Sequence, residues 1–308
     1  MSLQTHIVTL IAPPDKLSGA EITFVTSLLT DRGLAVEDPV WLEGGRAADV
    51  RFSLDQDQSH ALEEDLRQAL ASVPVDFALQ ALLPDQPRKR QLLLADMDST
   101  IVTGETLDEM SDHLGLKDKI AAITAKAMNG EIDFQDALRE RVAMLKGLKE
   151  TAVLETLKQI GYTSGAADLV RTMRLHGARC VLVSGGFEHF TSKVREEIGF
   201  HADFANRLEV EESMLTGRVL EPILDKSAKL ERLTAECEAL GVSPAAAVTV
   251  GDGANDLMMI EAATDAGGLG VAFHAKPTVA ARARFRIQHT DLRSLLYIQG
   301  YHCDSIED

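Results

Sequence analysis

Asp96 and Asp98 are the residues of this sequence best placed for chemistry, since they are two carboxylates two positions apart directly behind the apolar run Leu92-Leu93-Leu94-Ala95. Such a run suits a strand buried on both faces of a parallel sheet, and ligands bind at the carboxyl edge of such sheets. There, two carboxylates can converge on one hard cation such as Mg²⁺. A carboxylate that is ionised at neutral pH can also attack phosphorus directly, forming an acyl-phosphate and dividing one hard displacement into two easier ones. An acidic turn that merely ends a strand would look the same, so the pair needs support from elsewhere in the chain.

Ser184-Gly185-Gly186 follows Cys180-Val181-Leu182-Val183, and Gly251-Asp252-Gly253-Ala254-Asn255-Asp256 follows Ala247-Val248-Thr249-Val250. Each polar cluster again stands at the end of a strand-like run. Between them lie Lys226 and Lys229, at the start of a helical stretch from Lys226 to Leu240. A hydroxyl and backbone N–H groups where a strand meets a helix suit phosphate oxygens, although a tight turn that needs glycine reads alike.

In this order, Asp-x-Asp-Ser-Thr, the Ser-Gly-Gly stretch, the lysine and the Gly-Asp-Gly-Ala-Asn-Asp turn resemble the four motifs of the haloacid dehalogenase-like phosphohydrolases, over roughly residues 88–298. The resemblance implies a doubly wound parallel α/β sheet with a helical cap inserted after the first motif. It also implies that Asp96 is the nucleophile and Asp98 the general acid, which then serves as the base that activates water. Mg²⁺ would be held by the Asp96 carboxylate, the Asp98 backbone carbonyl and Asp252, with Asp256 orienting them. Ser184 and Gly185 would bind phosphate oxygens, and Lys226 would neutralise charge on the transferring group. Lys226 is preferred to Lys229 because it keeps the family's Lys-x-x-x-Leu spacing, here to Leu230.

Glu105-Thr106, Arg139-Glu140-Arg141-Val142 and Ala275-Lys276-Pro277 narrow the resemblance to the phosphoserine phosphatase branch. In that branch a cap arginine grips the substrate carboxylate and a glutamate takes its ammonium. By position these are Arg141 and Glu105, with Asn255 near the phosphate; Arg139 is the competing arginine. A guanidinium fork fits a carboxylate. The implied reaction is Mg²⁺-dependent hydrolysis of O-phospho-L-serine to L-serine and phosphate, the last step of serine biosynthesis. Phosphothreonine, phosphohomoserine or another small phosphomonoester is the alternative substrate. From a different class, an amino-acid-binding regulatory protein with a vestigial phosphatase domain stays open, against which the intact set Asp96, Asp98, Ser184, Lys226 and Asp252 argues.

The elements that must position these residues divide the chain into residues 1–82, a linker at 83–90, and residues 91–308 with a cap at about 105–165. Strand-like runs at 6–11, 40–43, 50–54 and 75–79 alternate with helical patterns at 18–30 and 59–71. That βαββαβ order is ferredoxin-like and resembles an ACT-type regulatory domain, with L-serine as an effector; a structural or dimerising appendage, and hence a homodimer, stays open. The linker, Leu83-Pro84-Asp85-Gln86-Pro87-Arg88-Lys89-Arg90, has two prolines and a basic cluster read as a solvated approach to the sheet. Four helical patterns follow the first motif, at 105–114, 117–129, 133–146 and 149–159, with βα alternation beyond. Residues 204–220 suggest a β-hairpin, and 302–308 a frayed tail.

The chain has 308 residues and a net charge of -17, which argues against a nucleic-acid or anionic-membrane partner. Cys180, Cys237 and Cys303 lack metal-ligand spacing and read as thiols in a reducing compartment. No apolar run approaches the ~18 residues that span a bilayer, and no basic-then-apolar signal opens the chain, so a cytoplasmic location is expected.

Overall fold

A computed structural model describes residues 3–55, 58–128, 131–225 and 227–307. Its first unit runs β1 (Leu3–Ile11), α1 (Gly19–Asp31), β2 (Val40–Glu43), β3 (Ala47–Asp55), α2 (Ser59–Ala69) and β4 (Asp76–Ala81). Ser18 opens α1 with a capping box, its side chain accepting from the first turn while Glu21 reaches back to the Ser18 N–H. The four strands form an antiparallel sheet in the order β2-β3-β1-β4, which is the ferredoxin-like arrangement. Val8, Leu10, Val50 and Phe52 of the sheet pack on Val25 and Leu29 of α1 and on Leu62 and Leu66 of α2.

The second sheet is built from β5 (Leu92–Ala95), β6 (Arg179–Phe187), β7 (Ala202–Glu211), β8 (Met214–Leu220), β9 (Ala247–Gly251), β10 (Leu269–Phe273) and β11 (Phe285–Ile287). Its order is β11-β10-β9-β5-β6-β7-β8, and every neighbouring pair is parallel except the β7–β8 hairpin. All four residues of β5 are buried, as expected of a central strand covered on both faces. Helices α7 (Ala166–Leu175), α8 (Glu188–Val194), α9 (Ala228–Leu240), α10 (Leu257–Asp265), α11 (Pro277–Arg282) and α12 (Ser294–Ile298) complete this unit.

Between β5 and α7 lies the cap, and it comprises α3 (Thr106–Asp112), α4 (Lys117–Met128), α5 (Phe134–Ala143) and α6 (Glu150–Gln159). Asp133 caps α5 by accepting from the Gln135 and Asp136 N–H groups. At the neck, Val102 bridges Tyr162 and Thr103 N–H donates to Gly161 O at 2.9 Å. The cap is also tied to the hairpin, where Gly147 N–H donates to Leu215 O and Leu215 N–H to Leu148 O, both at 2.8 Å.

Two expectations fail for the same reason. The basic cluster of the linker is not a solvated approach at Arg90, which is buried and donates through Nη1 to Ala245 O at 3.0 Å, whereas Lys89 stays exposed, over the Tyr301 ring. Arg88 joins the two units, with Nη1 2.5 Å from Asp49 Oδ2, Nη2 2.6 Å from Thr9 Oγ1 and Nε 2.9 Å from Ile298 O. Over its described residues, 302–307, the tail is not frayed either, since Cys303–Ser305 forms a 3₁₀ turn and Glu307 N–H donates to Thr172 Oγ1 at 2.9 Å. Both segments run over surfaces that tertiary packing closes. Asp76 strengthens the same junction by accepting from the Gln288, His289 and Thr290 N–H groups at 2.8, 3.1 and 3.0 Å.

Candidate active site

Asp96 stands immediately after β5, with Ser184 on β6 to one side and Asp252 beyond β9 to the other, because these strands are the two neighbours of β5. Its backbone N–H continues the ladder to Val250 O at 3.0 Å, so the carboxylate projects from a fixed edge. Lys229 Nζ donates to Asp96 Oδ1 at 2.6 Å and to Asp256 Oδ1 at 2.5 Å. The other Asp256 oxygen accepts from Gly253 N–H at 2.9 Å. A side chain at Gly251 would place its Cβ 2.2 Å from Asp256 Cγ, so only glycine lets this carboxylate pass beneath the end of β9.

Asp98 is held by both oxygens: Oδ1 accepts Thr106 N–H at 2.8 Å, and Oδ2 accepts the Ser184 hydroxyl at 3.2 Å. Desolvation and the nearby Glu105 charge push its carboxyl up to about 6, against these hydrogen bonds. Ser99 directs the chain away from the site through a left-handed φ of 54° and donates its hydroxyl to Glu105 Oε1 at 2.8 Å. The Ser184–Gly186 stretch is not a strand-to-helix turn as expected. It lies inside β6, where the register with β7 shifts between Val183 and Phe187, so that the skipped residues bulge toward the pocket. Gly186 N–H is taken by Ser184 Oγ at 2.9 Å.

Asp96, Asp252 and Asp256 are all buried, and their carboxylate oxygens lie within 4.8 Å of one another. Burial first, and then the Asp256 charge, push Asp96 well up and Asp252 up to about 6. Burial also opposes the Lys229 charge, but Asp256 and Asp96 outweigh it and raise its pKa. Lys276 adds only a looser contact, Nζ to Asp252 Oδ2 at 3.7 Å. Hard oxygen donors with an excess of buried negative charge fit a divalent cation. Asp256, engaged on both oxygens by Lys229 and Gly253, is suited to orient rather than to ligate.

The cap supplies Glu105, the residue before α3, and Arg141 on α5. Arg141 donates through Nε to Ala137 O and through Nη1 to Thr124 Oγ1, both at 3.2 Å. Burial lowers its pKa, while the Asp108 and Glu105 charges raise it. Arg139 faces the other way, exposed, and pairs with Glu221 at 2.8 Å and Asp136 at 3.2 Å. Of the two cap arginines, Arg141 is therefore the more enclosed, and it feels the Asp108 and Glu105 charges.

The haloacid dehalogenase-like hydrolase model matches residues 93–261. The chain belongs to the haloacid dehalogenase-like hydrolase family. It is 40% identical over 229 residues to a phosphoserine phosphatase of Archaeoglobus fulgidus, a match that covers 74% of this chain and 65% of that protein. A phosphoserine phosphatase of Streptomyces coelicolor is 34% identical over 301 residues, 98% of this chain and 72% of its own length. Among solved structures, a phospho-aspartyl intermediate analogue of phosphoserine phosphatase superposes with a TM-score of 0.62 at 38% identity, covering 68% of this chain and 98% of that one.

Within this haloacid dehalogenase-like hydrolase, Ser184, Gly185 and Asn255 line one small pocket with Leu224, Ala228 and Lys229. Lys226 lies outside the described residues. Among the described residues, the lysine that reaches Asp96 is Lys229, the second residue of α9. Lys-x-x-x-Leu spacing favoured Lys226, but Lys229 also stands four positions before Leu233, which is buried. Sequence reasoning also passed over Asn206, a buried amide on β7 that contacts the Ser184–Gly186 bulge. Its only sequence signal is an amide inside a strand, where packing favours apolar side chains.

Proposed function

We propose that this chain is a Mg²⁺-dependent phosphatase that hydrolyses O-phospho-L-serine to L-serine and phosphate through an aspartyl-phosphate on Asp96. The observation that carries the reading is the environment of Asp98: one oxygen on Thr106 N–H, the other on the Ser184 hydroxyl, and a carboxyl pushed up to about 6. A group with that proton affinity can give a proton to a leaving alkoxide and later take one from water. Asp96 is held for attack by Lys229, which also neutralises charge brought by the phosphoryl group. Ser184, Gly185 and Asn255 receive the phosphoryl oxygens, and Arg141 and Glu105 receive the carboxylate and ammonium of the amino acid.

The cation would be held by Asp96, Asp252 and the Asp98 carbonyl, with Asp256 orienting them. When bound it supplies positive charge at the phosphoryl oxygens. The names of the relatives support phosphoserine as substrate. We further read the amino-terminal unit as ACT-like, with L-serine as its effector and a homodimer as its natural assembly; its ferredoxin-like sheet order supports this.

Phosphate release from phosphoserine, phosphothreonine, phosphohomoserine and p-nitrophenyl phosphate, with and without Mg²⁺, tests the reading. Phosphoserine should be preferred and turnover should need the metal. Equal turnover of all four would reduce the chain to a general phosphomonoesterase.

A further inference from the structure

Asn206 is almost fully enclosed, at 1% exposure, and both ends of its amide are used. Nδ2 donates to Gly185 O at 2.9 Å, and Oδ1 accepts Leu224 N–H at 2.7 Å. A carbonyl on one side and an N–H on the other leave one orientation for the amide. Gly185 and Leu224, from separate segments of the chain, both line the pocket that Ser184, Ala228, Lys229 and Asn255 also line.

The bulge explains why a brace is needed here. Val183 pairs with Phe204 and Phe187 with Asn206, so Ser184, Gly185 and Gly186 of β6 face a single residue of β7. The ladder cannot hold their peptides, and the Asn206 side chain takes the place of one ladder bond. With Gly185 O fixed by Asn206 and Gly186 N–H fixed by Ser184 Oγ, the peptide plane between the glycines is pinned at both polar atoms. Ser184 Oγ in turn donates to Asp98 Oδ2. Leu224 precedes α9 in the chain, and α9 carries Lys229.

We propose that Asn206 is a positioning residue that sets the width of the phosphoryl pocket, by joining the Gly185 wall to the Leu224 wall from behind. It touches neither the reacting carboxylates nor the lysine, and acts through Gly185, Ser184 and the approach to α9. The proposal rests on the reading of this pocket as the phosphoryl site.

Asn206→Asp keeps size and the acceptor for Leu224 N–H but removes the donor to Gly185 O. It should remain folded by circular dichroism and thermal melting, while binding inorganic phosphate about tenfold more weakly by calorimetry, the scale of one buried hydrogen bond. Its kcat/KM should fall about 10²-fold from misplacement of the phosphoryl group. The fall should be equal for phosphoserine and p-nitrophenyl phosphate, which share only that group. If Asn206→Asp does not fold, Asn206→Ala, which buries no charge, carries the same comparison. Unchanged phosphate affinity in a folded variant overturns the proposal and leaves Asn206 as a packing residue. A fall confined to phosphoserine overturns it as well. If the wild type hydrolyses neither ester, the functional reading fails by itself, and phosphate calorimetry on wild type and variant still decides the role of Asn206.

Discussion

Lys229 and Asp96, 133 residues apart in the chain, form a buried hydrogen-bonded ion pair at 2.6 Å. The same ammonium holds Asp256, so one cation faces two carboxylates in a space that excludes water. Removing it leaves uncompensated buried charge, which typically costs about 3–5 kcal/mol. Lys229→Met should therefore lower the melting temperature and reduce kcat by at least about 10³-fold. If Lys229 serves the nucleophile, Lys226→Met should lower kcat less than Lys229→Met. Parallel melts and initial rates of the two variants decide which lysine serves the nucleophile; a larger loss for Lys226→Met would transfer the role back to it.

Asp96→Asn should preserve the fold, since an amide fills the same volume, yet form no acid-stable phosphoprotein when quenched with labelled substrate. Asp98→Asn should slow both formation and hydrolysis of that adduct by several orders of magnitude, because one group serves both proton transfers. Rapid-quench measurement separates the halves. Normal adduct formation in Asp98→Asn would remove its role as acid.

Arg141 is the cap arginine proposed for the substrate carboxylate: it is partly buried on α5 within the field of the Asp108 and Glu105 charges, while Arg139 is exposed and paired with Glu221. Arg141→Ala should lower kcat/KM for phosphoserine by about 10²-fold, since a charge-assisted pair is worth about 1.5–3 kcal/mol and poor placement adds to the loss. Against p-nitrophenyl phosphate the loss should be much smaller, and Arg139→Ala should change neither. The ratio of kcat/KM values for the two substrates is the measurement.

The raised carboxyls at Asp98 and Asp252, each pushed up to about 6, carry a stability consequence. Folded-state values above the ordinary carboxylate range mean that the folded protein binds more protons than the unfolded chain. Metal-free protein should thus gain stability as pH falls from 7 toward 5 and lose it as pH rises through about 6. A divalent cation opposes the same buried charge, so Mg²⁺ should raise the melting temperature at pH 7 and flatten the pH dependence. Thermal melts across this range in chelator and in Mg²⁺ provide the test; a melting temperature in chelator that rises with pH would contradict the sign.

A chain beginning at Arg88 would lose Asp49 and Thr9, the partners of its guanidinium, and would uncover apolar surface that Ile11, Leu42, Ala47 and Ala78 share with the catalytic core. Its melting temperature should fall by several degrees, the scale of a few kcal/mol in a domain of this size. Differential scanning calorimetry of the shortened and full chains would show it.

Local sequence determined the strand-end positions of Asp96, Asp98 and Asp252, because a short apolar run followed by polar residues marks a buried strand and its edge without knowledge of any partner. The βαββαβ order, the four cap helices and the β7–β8 hairpin were legible for the same reason: periodicity and glycine breaks are properties of neighbours in sequence. Tertiary structure alone brought Lys229 to Asp96, since only the placement of α9 against β5 carries its ammonium to a carboxylate 133 residues away in the chain. It also decided that Arg88 joins the two units and that Arg90 is buried against the second, because a cation reads as solvated until the carboxylate and carbonyl partners that make its burial tolerable arrive from residues far along the chain. Asn206 belongs with them. An amide becomes a brace only when the register shift of β6 against β7 leaves a peptide without its ladder partner, and register is a relation between strands that neither strand carries by itself.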